Sequence, residues 1–102
     1  MSDPAKAIAS RIKTRCGNLA DVSLEQGTTS PWQSLLYDGG RHNIALTLSG
    51  EGVDDALAAL HDEVRTPYFA IPGHLIADIQ VAAIVRGPDH ASVRLDALTI
   101  ET

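Results

Sequence analysis

Between Arg41 and Arg65 the hydrophobic pattern switches from a strand period to a helix period, and that switch constrains the fold more than any other feature of the chain. Ile44, Leu46 and Leu48 alternate with Asn43, Ala45, Thr47 and Ser49, the signature of a half-buried strand. Ser49-Gly50-Glu51-Gly52 breaks the pattern. Val53, Ala56, Leu57, Leu60 and Val64 then recur at helical spacing and share one stripe, the expected contact with a sheet. Asp54 and Asp55 fall in the first turn, where the helix dipole favours anions, and Thr66-Pro67 stops the helix.

The other elements arrange themselves around this unit. Asp3-Pro4 reads as an N-cap followed by proline at the first helical position. The helix it opens carries a narrow stripe of Ala5, Ile8, Ala9, Ile12 and Cys16, and Gly17 or Asn18 is expected to supply a left-handed stop. A short strand follows around Val22 and Leu24, then a loop at Gly27–Pro31, then a second strand from Trp32 to Tyr37. Asp38-Gly39-Gly40 is the expected hairpin turn into the organising strand. Downstream, His74–Arg86 and Ser92–Glu101 form a second hairpin across Gly87-Pro88-Asp89-His90. The expectation is an α+β fold over residues 1–102: a two-layer sandwich with a mainly antiparallel five-stranded sheet and two helices, in the order αβββαββ.

Composition narrows the function classes. With 44% apolar and 21% charged residues the chain has ordinary globular content, and with 4% aromatics its core must be aliphatic. Cys16 stands alone, so no internal disulfide forms, and a reducing cytoplasmic setting is the expectation. No apolar run approaches the ~20 residues of a membrane span, and the basic N-terminal stretch lacks the apolar core of a signal peptide. Charge is uneven. Lys6, Arg11, Lys13 and Arg15 against Asp3 give 4 − 1 = +3 over residues 1–15, and the remaining four basic and twelve acidic residues give −8. Such a body should repel nucleic acid and anionic membrane, whereas the basic helix suits an acidic partner or the acidic body of a second copy.

The last hairpin carries apolar residues in both phases. Pairing across its turn is expected to bring Ile76 near Leu98 and Ile100, on the face opposite Leu75 and Ile79; the apolar phase slips near Ala97, so either a bulge sits there or both faces are covered. The first helix through Ile8 and Ile12, another subunit, or solvent would meet this cluster. A homodimer or higher homo-oligomer with Ile76, Leu98 and Ile100 at its interface is the expectation that follows.

No complete catalytic, metal or nucleotide motif is present, and no cofactor is expected. Gly50-x-Gly52-x-x-Asp55 has the strand-to-helix context of a dinucleotide fingerprint, but two carboxylates at the helix start would repel a pyrophosphate. His74 and Asp78 share a strand face but lie about 13 Å apart along it, too far for one metal ion without a bulge or a further ligand. The leading reading is a non-enzymatic, self-associating interaction module. An alternative is a small-ligand binder with a helix–sheet pocket lined by Trp32, Tyr68 and Phe69 and bordered by His61 and His74, and a small enzyme using His61 or His74 ranks third. Finally, the run Arg41-His42-Asn43-Ile44-Ala45-Leu46-Thr47-Leu48-Ser49, a helix, and Gly73-His74-Leu75-Ile76 opening a terminal hairpin look like the element order of phage tail-terminator proteins. That resemblance implies a ring-forming assembly protein.

Overall fold

The structure is a computed structural model and describes residues 3–65 and 71–102. Its elements run α1 (Pro4–Cys16), β1 (Asp21–Gln33), β2 (Asp38–Ser49), α2 (Val53–Arg65), β3 (His74–Arg86) and β4 (His90–Glu101). The strands form one antiparallel sheet in the order β1-β2-β4-β3, with α2 as the crossover between β2 and the far edge. Both helices pack on the same face. Ile8, Ile12 and Cys16 of α1 and Val53, Ala56 and Leu60 of α2 share one core with Ile44, Leu46, Leu48, Val93 and Leu95 of the two central strands.

The fold is α+β, but the sheet has four strands, not five. The two segments expected before the organising strand are one strand, β1, which runs through Gly27 and Pro31 without a break. Two properties allow this. Thr28 and Thr29 favour extended backbone. Pro31 is tolerated because β1 is an edge strand, where a missing N–H need not cost a ladder bond. The hairpin turn therefore sits at 34–37, and Asp38, Gly39 and Gly40 belong to β2.

Three residues stand as extras against their partner strands: Glu25 in β1, and Ala77 and Ala82 in β3. No bulge sits in β4 near Ala97, since β4 pairs with β2 without a register shift and buries Ala91, Val93, Leu95, Ala97 and Thr99 in strict alternation. The bulge at Ala77 instead re-phases β3. It places Ile76 on the helix side, opposite Thr99, and Leu75 on the other face, opposite Ile100.

Helix ends and faces follow local chemistry. Asp3 Oδ1 accepts the N–H groups of Ala5 (3.0 Å) and Lys6 (3.4 Å), as a capping aspartate does. Gly17 is right-handed at φ −63°, so the left-handed stop is not used; Leu19 and Ala20 N–H close on the Cys16 carbonyl instead. Gly50, at φ +117°, makes the turn out of β2, and Gly52 lies so close to the Leu19 carbonyl that a Cβ would sit 1.9 Å from its oxygen. The α2 stripe is rotated slightly from expectation: Ala59 and Glu63 join Val53, Ala56 and Leu60 inside, while Leu57 and Val64 are half-buried. Glu63 points at α1, where Arg11 Nε (2.9 Å) and Arg15 Nε (3.6 Å) meet its carboxylate. Cys16 is fully buried, with Sγ 3.5 Å from the Ala56 carbonyl oxygen, and burial pushes its thiol pKa up.

Candidate functional site

Residues facing each other across an antiparallel ladder share a face, so the register lays out the surface turned away from both helices row by row. From the β3–β4 turn toward the β1–β2 turn, the rows read Ser23–Thr47–Ser92–Val85, Gln26–Ala45–Arg94–Ala83, Thr28–Asn43–Asp96–Gln80, Ser30–Arg41–Leu98–Asp78 and Trp32–Gly39–Ile100–Leu75. Each of the first four rows carries at least two polar side chains, with Val85, Ala45, Ala83 and Leu98 as their apolar members, and the fifth row carries only apolar residues and glycine. Gly39 is required there, because a Cβ would lie 2.0 Å from the Thr99 carbonyl oxygen, 2.7 Å from Trp32 Nε1 and 2.9 Å from Cε2, so the indole lies against its backbone. Leu75 is 58% exposed, whereas Leu98 and Ile100 are half-buried.

The β1–β2 tip continues this apolar end. Ser34 makes the turn: its N–H donates to the Tyr37 carbonyl at 2.8 Å, and its hydroxyl accepts the Tyr37 N–H at 3.1 Å. Leu35 and Leu36 project from it with relative exposures of 104% and 82%, followed by Tyr37 at 52%. Neither leucine has positive φ, and neither packs inward, so the turn itself gives no reason for two leucines.

A second candidate lies on the helix side of the same end. His42 is 3% exposed and holds two threonines, with Nδ1 2.9 Å from Thr29 Oγ1 and Nε2 2.8 Å from Thr99 Oγ1. Burial lowers its pKa; Asp3 opposes that effect and His74 reinforces it. A neutral imidazole has one N–H and one acceptor nitrogen. One threonine must therefore donate to His42 and the other accept from it, and whichever tautomer forms, the accepting hydroxyl keeps an O–H that no side-chain hydrogen bond among the described residues uses. A cavity of about 660 Å³ adjoins this cluster, lined among the described residues by His42, His74, Thr29, Thr99, Pro31 and Pro72. Among the described residues, the buried His74 Nδ1 has no hydrogen-bond partner.

The expected site residues separate accordingly. Leu98 and Ile100 share the face turned from the helices, while Ile76 packs against the core on the other side. Covering of that face by the first helix is overturned, since Ile8 and Ile12 are buried in the core opposite it. Trp32 is likewise on the helix-free face, so it lines no helix–sheet pocket. His74 does line the cavity, His61 is exposed on α2, and Tyr68 and Phe69 lie outside the described residues. His42 was missed, although the phase that selects Ile44, Leu46 and Leu48 also selects His42. The Gly50–Gly52 loop is occupied by the Leu19 carbonyl, which accounts for its glycines without a phosphate. Among the described residues, no group of three or more His, Cys, Asp or Glu is placed to hold a metal ion, and no helix is long and apolar enough to cross a membrane. Compared with known protein families, curated proteins and solved structures, the chain matches none of them.

Proposed function

We propose that this chain is a non-enzymatic assembly module that associates with copies of itself through the apolar end of its sheet. The observation that carries the reading is the last row of the helix-free face: beyond four rows that each carry polar side chains stand Trp32, Ile100 and Leu75, and past them at the strand tip come the exposed Leu35, Leu36 and Tyr37. Exposed apolar residues scattered singly need no explanation, but a contiguous patch rimmed by polar residues marks a contact surface. The ring implied by the resemblance to tail-terminator proteins is one form such assembly takes. Sedimentation equilibrium over a wide concentration range tests it. The expected result is a mass rising well above the 10.8 kDa of one chain, with association weakened at least tenfold in a folded Ile100→Asp variant. A single species at every concentration would overturn the reading.

The cavity beside His42, which Glu101 also lines, supports a second reading, a binder of a small polar ligand. Among the described residues, the orphaned His74 Nδ1 and the unspent threonine hydroxyl are an acceptor or donor and a donor awaiting partners. A thermal-shift screen of polar metabolites should then give stabilisation by one chemical class, abolished by Thr99→Val, with no change in mass. Uniform melting across the screen would remove this reading.

A further inference from the structure

Building on the self-association reading, we propose that the β1–β2 tip of one copy docks in the groove between α1 and β1 of the next, joining copies head to tail. The tip offers two nearly bare leucines, then Tyr37 and the exposed carboxylate of Asp38. The groove measures about 290 Å³, with an apolar floor that includes Ala9, Val22, Leu24 and Leu46 and a rim that includes Lys6 and Lys13. Leu24 is 41% exposed even though the register places it on the helix face, so the floor has apolar surface to lose to a partner. The charges match as well as the surfaces do. Among the described residues, Lys6 and Lys13 have no carboxylate partner and Asp38 has no cationic one. The basic rim is also part of the stretch that carries +3 in a chain of net charge −5, which favours a second copy over a basic partner.

The tip has no access to its own groove. From Leu24 to the end of β1 at Gln33 is nine residues of extended chain, roughly 30 Å. Tip and groove sit toward opposite ends of β1 in a molecule 46 Å long. The contact therefore joins two different patches on two copies. Such a heterologous contact repeats from copy to copy until a ring closes or a filament grows.

Two variants and their mixture test this. Leu35→Asp/Leu36→Asp removes the tip, and Leu24→Asp/Lys13→Glu removes the groove; circular dichroism and melting curves verify that both fold. Each alone should run as a single chain at concentrations where the wild type associates. Mixed in equal amounts they should form a species of two chains and no larger, because one intact tip and one intact groove remain between them. A wild type that stays single removes the self-association reading itself. A wild type that associates while either variant still associates alone removes only the tip-in-groove arrangement. So does a mixture that yields no two-chain species, because the contact is then not between unlike patches.

Discussion

Leu95→Ala should lower the unfolding free energy by about 2–5 kcal/mol, the range for a buried leucine whose surroundings cannot fully collapse. Leu95 is fully buried on β4, a central strand, in the ladder row Gly27–Ile44–Leu95–Val81 beneath the helices. A domain of this length has a shallow stability margin, so the melting temperature should fall by roughly 10 °C or more. The same truncation at the exposed tip, Leu35→Ala, should change stability by less than about 0.5 kcal/mol. Chemical denaturation of the two variants provides the check. Equal losses at Leu95 and Leu35 would mean that the tip is packed in the free chain, contrary to its 104% exposure.

Acidification from pH 7 to pH 5 should cost the wild type stability that a His42→Gln variant keeps. Burial lowers the folded-state pKa of His42 from its ordinary 6.5, with Asp3 working against the effect and His74 with it. The unfolded chain therefore takes the proton first as pH falls. The stability contributed by neutral His42 is complete above pH 6.5 and declines below it until the folded-state pKa is reached. Each tenfold difference in proton affinity is about 1.4 kcal/mol. The informative quantity is the difference in slope between wild type and variant. Urea midpoints at half-unit pH steps supply it, and parallel slopes would show that His42 is not the group responsible.

How far the sequence revealed this depended on whether a residue's partner was close along the chain. The organising strand and helix, the Asp3 cap and the final hairpin were all legible, because periodicity and capping are local. The strand count was not. Gly27 and Pro31 read as a loop by their intrinsic preferences, and only the edge position of β1, which folding decides, lets them stay extended. The side of Ile76 was hidden for a related reason. A bulge at Ala77 is a property of two strands, and the alternation of β3 alone gives no sign of it. Nothing local marks Glu63 as a buried acid, because its partners Arg11 and Arg15 come from α1, about fifty residues earlier. The candidate site divides in the same way: Leu98 and Ile100 could be picked out from their phase, whereas the Leu35–Leu36 tip was concealed inside a presumed strand.

The extra residues at Glu25, Ala77 and Ala82 bear on how this protein behaves when crowded. All three lie in β1 and β3, the flanking strands, where unpaired amides would otherwise invite a neighbouring chain to extend the sheet laterally. Each interrupts the regular spacing of donors and acceptors, and Pro31 withholds one donor more. Copies brought together at high local concentration thus find poor templates along their flanks, which biases the chain away from fibrous cross-β aggregation.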